Sequence, residues 1–241
     1  MRVTCFFVAA LCACAAEGSA DTSSAGAPTD EIAAKCPVSE NVRGHENTEW
    51  SISYAYHLTD KKKDLPRVLL IGDSICNGYQ GRASAKLAGR ANVTYWVSSY
   101  CVTSPGYLRL LAFYLDEAKY AVIHFNNGLH SCETPDADYE KAYRAALRLI
   151  REKQPDAKLV WATSTPLNTT DASRAEKVVR LNAAARRAAS SIDGISENDL
   201  FSLVNPLDRK TYWVDTHHYT SAGYKLLASQ VVERVTAAWA R

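Results

Sequence analysis

A run of large apolar residues that ends in a small polar turn places the first strong constraint on the fold. Residues 67–71 end in Val-Leu-Leu-Ile, and Gly72, Asp73 and Ser74 follow directly. An uninterrupted apolar run of this length is typical of a parallel strand covered on both faces, because such a strand has no side in contact with water. A helical segment comes next. Ser74 is therefore expected just beyond the carboxyl end of a buried strand, where open α/β sheets place their ligands.

Predicted strands and helices alternate along the rest of the chain. Strands are expected at residues 67–71, 93–97, 121–125, 158–162 and 194–198, and helices at 80–88, 107–117, 136–154, 174–191 and 221–238. This order predicts an α/β fold, a three-layer α/β/α sandwich around a five-stranded parallel sheet with right-handed crossovers. The loops that follow the strands then meet at one edge of the sheet.

The N-terminal residues predict a targeting segment. Residues 1–20 combine Arg2, an apolar stretch at 5–16 that is too short to span a bilayer, and a small-residue cleavage site ending at Ala20. This pattern predicts a signal peptide and an exported protein, either periplasmic or secreted. The alternative is a lipobox at residues 11–14, in which case Cys14 carries a lipid anchor at the cell surface. No later segment of the sequence is long and apolar enough to span a membrane.

The folded domain is expected at residues 50–241, after a flexible tether at 21–49 that begins with a stretch rich in Ser, Ala, Gly, Thr and Pro. Apolar residues alternate from Trp50 to Leu58, which predicts an extended arm at 50–65 with one covered face. Its aromatic residues either line a substrate cleft or belong to an edge segment packed on the domain, and ordinary strand patterning favours the edge segment.

The charge balance excludes two classes of partner. The chain has 28 basic and 26 acidic residues, and its formal net charge is +2. Binding to nucleic acid or to an anionic membrane surface calls for clustered basic charge, which is not present. A neutral partner, either small or polymeric, is therefore expected.

Four cysteines remain after the predicted signal peptide: Cys36, Cys76, Cys101 and Cys132. An even number in an oxidising compartment permits two disulfides with three possible connectivities. Cys101 and Cys132 lie in loops expected near Ser74, so their pairing is the preferred bridge. The alternative is simple burial, since a cysteine thiol packs like a small apolar group. Their spacing matches no zinc-binding pattern.

Two residues near the C-terminus supply what a nucleophilic serine needs. A serine hydroxyl attacks only when a base removes its proton, and a carboxylate usually orients that base. Asp215 lies three residues before His218, so one turn can present both side chains on the same side. His217 is expected to point away, because only His218 has this offset. His124 lies within a predicted strand and is expected in the core.

These two blocks together resemble the SGNH or GDSL hydrolase superfamily, which consists of serine esterases and acyl-hydrolases with a flavodoxin-like fold. The resemblance covers residues 66–241 and is carried by Gly72-Asp73-Ser74 and by the Asp215-x-x-His218 motif. It implies that Ser74 is the nucleophile, His218 the base and Asp215 the residue that orients the base. It also implies that no metal or organic cofactor is needed. The alternative for Ser74 is a helix N-cap, and Asp73 is expected to bind the amides of the turn.

The sequence departs from the superfamily in the groups that would stabilise an oxyanion. The family supplies the serine N–H, a glycine N–H after the second strand, and an asparagine side chain after the third. Here the second loop offers the N–H of Val102, and His130 stands near the position expected for the asparagine. A neutral imidazole can donate as an amide does. Asn126 and Asn127 are the alternatives.

We therefore expect an exported serine esterase that removes short acyl groups, such as acetyl, from carbohydrates. One alternative is a carbohydrate-binding relative with weak or no catalysis, in which the altered third block marks lost chemistry. The other is a lipase or thioesterase of the same fold.

Overall fold

The structure is a computed structural model that describes residues 49–54 and 64–240. The predicted signal peptide, the tether up to residue 48, Cys14, Cys36 and residues 55–63 of the arm lie outside the described residues. Within the two described stretches, no helix has the length and apolar character required to cross a membrane.

A six-stranded sheet forms the centre of the domain, with the order β1-β3-β2-β4-β5-β6. Its strands are β1 (Ser51–Tyr54), β2 (Arg67–Gly72), β3 (Asn92–Ser98), β4 (Val122–Phe125), β5 (Lys158–Ala162) and β6 (Ile195–Asn198). Strands β2 to β6 are parallel, which confirms the five predicted strands. Strand β1 adds a sixth, antiparallel strand at the edge beside β3.

Helices cover both faces of the sheet and give the predicted three-layer sandwich. They are α1 (Ser74–Leu87), α2 (Pro105–Asp116), α3 (Asp136–Lys153), α4 (Ala172–Ser190), α5 (Leu200–Val204), α6 (Arg209–Tyr212) and α7 (Ser221–Trp239). Alternate residues of β2 face opposite layers: Leu69 and Ile71 pack with α2, α3 and α4, whereas Val68 and Leu70 pack with α1 and α7. All four side chains are fully buried, as expected for a central parallel strand.

Helix α1 begins at Ser74, six residues before the predicted start. Gly78 and Gly81 weaken the helical signal there, because glycine is a poor helix former. Gly78 is nevertheless required by packing, since a Cβ atom at this position would lie 2.1 Å from the ring of Tyr224 in α7. The short helices α5 and α6 were not predicted. Each is capped by an aspartate, Asp199 or Asp208, that accepts a hydrogen bond from a backbone N–H in its helix.

The described N-terminal part of the predicted arm, residues 50–54, forms an edge segment, as strand patterning favoured. The Ser51 hydroxyl accepts a hydrogen bond from Trp96 Nε1 at 2.9 Å, and Ser99 N–H donates to the carbonyl of Trp50 at 3.0 Å. The expected covered face is absent from Ser51–Tyr54, whose four residues are all exposed. Backbone pairing with β3 and the bond between Ser51 and Trp96 hold this strand, while its side chains remain largely in water.

A buried row of hydrogen-bonded polar side chains links β4, β6 and α7. His124 is fully buried, and its Nε2 lies 2.9 Å from Asn198 Nδ2 in β6. Asn198 Oδ1 in turn accepts from Gln230 Nε2 of α7 at 2.8 Å. Burial disfavours the charged imidazole and lowers the pKa of His124 to about 4. The expectation that His124 belongs to the core is confirmed.

Asn127 ties together the loops that follow β3 and β4. Its Oδ1 accepts from the N–H of Val102 at 3.0 Å and from the hydroxyl of Ser131 at 3.1 Å. Its Nδ2 donates to the carbonyl of Tyr100 at 2.8 Å. The Asn127 carbonyl accepts from the Tyr139 hydroxyl at 2.6 Å. The side chain is buried, so these bonds fix the relative position of the two loops.

The preferred disulfide is wrong. No disulfide joins Cys101 to Cys132 in the described part of the chain. The Cys101 thiol instead donates a hydrogen bond to the carbonyl of His130 at 2.6 Å. Burial raises the pKa of the Cys76 and Cys132 thiols to about 12, so both are held in the unreactive protonated form. Burial, the simpler alternative, therefore describes Cys76 and Cys101, whereas Cys132 is partly buried.

The buried imidazole predicts a specific pH dependence of stability. The unfolded chain binds a proton at His124 below its ordinary pKa of 6.5, whereas the folded chain does so only below about 4. The free energy of unfolding should therefore fall by about 3 kcal/mol as pH falls from 6.5 to 4. His124→Gln should lose that part of the dependence. Urea unfolding of both proteins across this range tests it, and equal pH dependences would contradict the assignment.

The role of Asn127 predicts a loss of stability on truncation. Asn127→Ala leaves the buried N–H of Val102 and the carbonyl of Tyr100 without partners, and each such group costs about 1–3 kcal/mol. Asn77→Ala, at an exposed position on α1, should change stability by less than about 0.5 kcal/mol. Urea unfolding of the two variants measures the difference. Equal stabilities would rule out Asn127 as the tie between the loops.

Candidate active site

The turn between β2 and α1 positions Ser74. Asp73 is the N-cap residue of α1, and its Oδ1 accepts from the N–H of Ile75 at 2.9 Å. The alternative that Ser74 is the N-cap is therefore wrong, and the expectation that Asp73 binds a turn amide is confirmed. Gly72 lets the helix begin directly after the strand, because a Cβ atom there would lie 2.5 Å from Cys76 Cβ. As the first residue of α1, Ser74 also has an N–H with no acceptor within the helix.

A short loop before α7 carries Asp215 and His218. Trp213 and Tyr219 pair across its base as an isolated antiparallel bridge, and the N–H of Val214 donates to the carbonyl of His218 at 2.9 Å. The loop that follows β5 holds its tip, because the N–H of Asn168 donates to the carbonyl of Thr216 at 2.8 Å. The loop is thus attached both to the base of α7 and to the edge of the sheet.

The structure brings Ser74, His218 and Asp215 into one hydrogen-bonded chain. His218 Nε2 lies 2.9 Å from Ser74 Oγ, and His218 Nδ1 lies 2.8 Å from Asp215 Oδ2. The other carboxylate oxygen, Oδ1, accepts from the N–H groups of His217 and His218, at 2.7 Å in each case. This arrangement leaves Nε2 of a neutral His218 free to accept the Ser74 proton, as nucleophilic catalysis requires.

Electrostatics keep the Asp215 carboxylate ionised. Partial desolvation acts to raise its pKa, but the backbone N–H and the imidazole of His218, with the N–H of His217, outweigh it. The pKa of Asp215 is lowered to about 2. An ionised carboxylate at neutral pH holds the imidazole with Nδ1 protonated and stabilises the imidazolium that forms when His218 takes a proton.

Ser74 and His218 open onto a cavity of about 290 Å³. The residues that line it are Trp50, Ser74, Leu129, His130, His217 and His218. Among the described residues, its lining contains no Asp, Glu, Lys or Arg side chain, so this part of the wall is aromatic and weakly polar. The expectation that His217 points away is wrong. Desolvation and the nearby His218 lower the pKa of His217, while Asp215 opposes them, so it lines the wall mainly as a neutral imidazole.

The four candidate oxyanion residues fall into two groups. His130 lines the cavity from a single turn of 3₁₀ helix at Leu129–Ser131. The side chain of Asn126 is directed elsewhere, because its Nδ2 donates to the carbonyl of Ala162 at 2.8 Å. The N–H of Val102 and the side chain of Asn127 bind each other. Of these four residues, only His130 shares the cavity with Ser74.

A second cavity, of about 300 Å³, lies between α1, the edge strand β1 and its neighbour β3. It is lined in part by Tyr54, Gln80, Ala88 and Tyr95, and none of the candidate catalytic residues takes part. It therefore has no direct role in the chemistry at Ser74.

The sequence analysis did not assign three residues that line the Ser74 cavity: Trp50, Leu129 and His217. For Trp50 the sequence did offer an indication, because one of the two interpretations of the apolar alternation was that its aromatic residues line a substrate cleft. No sequence pattern predicted that the His217 side chain would face the cavity. Its orientation depends on the bridge between Trp213 and Tyr219 that closes the loop.

Comparison with known structures places the fold among hydrolases. A carbohydrate esterase of family 3 from Talaromyces cellulolyticus superposes with a TM-score of 0.60 at 15% identity, covering 73% of this chain and 99% of that one. A member of the lipolytic G-D-S-L family from Veillonella parvula gives 0.60 at 17% identity, with coverages of 70% and 98%. A family two carbohydrate esterase from Clostridium thermocellum, in complex with cellohexaose, gives 0.56 at 15% identity, with coverages of 72% and 65%. These likenesses establish a shared fold.

The sequence itself carries a family relationship. No curated protein matches the chain significantly. Residues 70–226, more than half of the chain, match the sequence model of the GDSL-like lipase/acylhydrolase family. The matched region runs from the strand that precedes Ser74 to the first half of α7, so it includes both ends of the hydrogen-bonded chain. The protein therefore belongs to the GDSL-like lipase/acylhydrolase family of SGNH hydrolases, which are ester-hydrolysing enzymes.

Proposed function

We propose that this protein is an exported serine esterase that removes acetyl and similarly short acyl groups from carbohydrates. The observation that carries the proposal is the chain of hydrogen bonds from Asp215 through His218 to Ser74, which ends at a small cavity without charged walls. This geometry supplies a nucleophile, its base and the group that orients the base within one family of ester hydrolases.

The reaction proceeds through an acyl-enzyme. Ser74 Oγ attacks the ester carbonyl while His218 Nε2 takes its proton, and the imidazolium is stabilised by ionised Asp215. The N–H of Ser74, at the N-terminus of α1, and the imidazole of His130 donate to the oxyanion. The intermediate collapses when His218 returns the proton to the leaving alcohol. Water, deprotonated by His218, then attacks the acyl group. His218 passes that proton to Ser74 Oγ as its bond to the acyl carbon breaks, which releases the acid and restores the free serine.

Cavity size supports a short acyl group. A volume of about 290 Å³ lies at the lower end of ordinary ligand pockets, which hold about 300–1,000 Å³. A long acyl chain would need an extended apolar groove, whereas the walls here are mainly aromatic and imidazole rings. The carbohydrate half of the proposal draws on two of the structural neighbours, which are carbohydrate esterases, and on the absence of charged residues from the cavity lining.

Export is proposed from residues 1–20, whose composition is that of a signal peptide. N-terminal sequencing and mass spectrometry of the protein recovered from cells distinguish cleavage after Ala20 from lipidation at Cys14. Recovery with residues 1–20 intact would overturn this part of the proposal.

Removal of the nucleophile should abolish hydrolysis. Ser74→Ala is expected to lower kcat for p-nitrophenyl acetate by at least about a thousandfold, because no other group forms the acyl-enzyme. Ser84→Ala, on the same helix but at the second cavity, should retain full activity. In wild type, kcat/KM should fall as the acyl chain of the p-nitrophenyl ester lengthens. Equal rates for wild type and Ser74→Ala would sink the proposal, and a preference for long acyl chains would favour a lipase.

Removal of the proposed oxyanion donor should lower kcat with little effect on KM. The loss of one such donor costs about 2.7–4 kcal/mol in the barrier, so His130→Ala should be slower by roughly a hundredfold or more. His130→Gln keeps an N–H donor on a side chain of similar reach and should recover part of the rate. Steady-state kinetics with p-nitrophenyl acetate test both variants. An unchanged kcat in folded His130→Ala would exclude the role.

A further inference from the structure

Trp50 contributes a wall of the cavity from outside the catalytic loops. It precedes β1 directly, is partly buried, and lines the cavity together with Ser74 and His130. Its indole meets the His130 ring nearly at a right angle, with ring centroids 6.1 Å apart and an interplanar angle of 81°. The hydrolytic mechanism proposed above does not use this side chain.

The backbone of Trp50 is held firmly beside the loop that follows β3. Its N–H donates to the Ser99 hydroxyl at 2.8 Å, and its carbonyl accepts from the Ser99 N–H at 3.0 Å. The Ser99 hydroxyl in turn donates to Glu49 Oε2 at 2.8 Å. Ser99 thus binds Trp50 on both sides, and it immediately follows β3. The indole is therefore positioned by the sheet, and a ligand that packs on it does not have to order a free segment first.

The position of Trp50 contrasts with that of its neighbours on the same strand. The side chains of Ser51–Tyr54 are all exposed and add nothing to the buried core. Ile52 and Tyr54 are 44% and 53% exposed. Of residues 50–54, Trp50 is the one that lines the cavity. Its indole contacts His130 and can also contact a ligand bound at Ser74.

The chemistry of the wall fits the ring of a neutral sugar. The face of an indole is apolar and electron-rich, and it matches the C–H face of a pyranose ring, whose hydrogens carry a slight positive charge. His130 and His217 offer ring nitrogens to the hydroxyl groups at the rim of such a ring. The described residues that line the cavity carry no Asp, Glu, Lys or Arg, which disfavours an anionic or cationic alcohol.

We propose that Trp50 is a specificity-determining residue that binds the sugar ring in the alcohol half of the ester. This inference rests on the proposed esterase function and adds to it the residue that selects the alcohol. The acyl half reacts at Ser74, and the sugar packs against the indole delivered by the N-terminal arm.

Two esters that share an acetyl group separate this role from hydrolysis itself. A mono-acetylated methyl glucoside presents a sugar ring, and ethyl acetate presents none, while acetate release from both is followed by titration. Trp50→Ala should lower kcat/KM for the glucoside by roughly tenfold, mainly through KM. Its kcat/KM for ethyl acetate should stay within about twofold of wild type, because this ester makes no ring contact with the indole.

Two matched variants complete the experiment. Trp50→Phe keeps an aromatic face and should recover most of the glucoside activity. Tyr54→Ala removes an exposed aromatic residue of the same strand that stacks on Tyr95 and belongs to the other cavity, and it should leave both activities unchanged.

Four other results would contradict the proposed role of Trp50. An equal loss on both esters in Trp50→Ala would show that the indole only supports the fold, and an unchanged glucoside activity would show that it does not contact the sugar. Recovery by Trp50→Phe only with p-nitrophenyl acetate, and not with the glucoside, would assign the wall to flat aromatic alcohols. Inactivity of the wild-type protein on every ester would overturn the esterase proposal, and this inference with it.

Discussion

The packing of the last helix against the first is the contact on which the site depends. Ser74 begins α1, and His218 lies just before α7, 144 residues later. The two helices approach closely because Gly78 leaves room for the ring of Tyr224. Arg82 of α1 also donates to the Ser221 hydroxyl at 3.1 Å. A hydrogen bond of 2.9 Å between Ser74 and His218 therefore depends on two helix ends that the core holds in register.

Hydrogen bonds outweigh desolvation in setting the pKa of Asp215. The Asp215 side chain is 52% exposed, so the carboxylate keeps much of its hydration, yet two N–H groups and an imidazole hold it in the ionised form. His124 shows the opposite case, since it is fully buried and burial keeps it neutral. The protein thus places its neutral structural histidine inside the sheet, whereas His218, the proposed base, lies at the surface, where water can reach it.

Strands and helices with strong patterns were predictable from the sequence, and so were the residues of the Ser74 chain. The run before Gly72 could only be a buried strand, and a local Asp-x-x-His pair carries its own geometry. The residue that would stabilise the oxyanion was harder to predict from the sequence. The N–H of Val102 and the side chain of Asn127 bind each other, through a contact between two loops that the sequence does not indicate. The start of α1 was missed because glycine, which disfavours a helix, is kept there for a packing contact with α7.

The region matched by the family model and the region that forms the cavity begin at different residues. The region shared with the family begins at residue 70, whereas the cavity wall begins at Trp50. The residues proposed to break the ester and the residue proposed to select it thus lie on different parts of the chain. A substitution in the arm is therefore expected to alter which alcohol is accepted while the proposed reaction steps stay the same, whereas a cut at residue 70 would remove half of β2 (Arg67–Gly72), the buried strand that leads into Ser74.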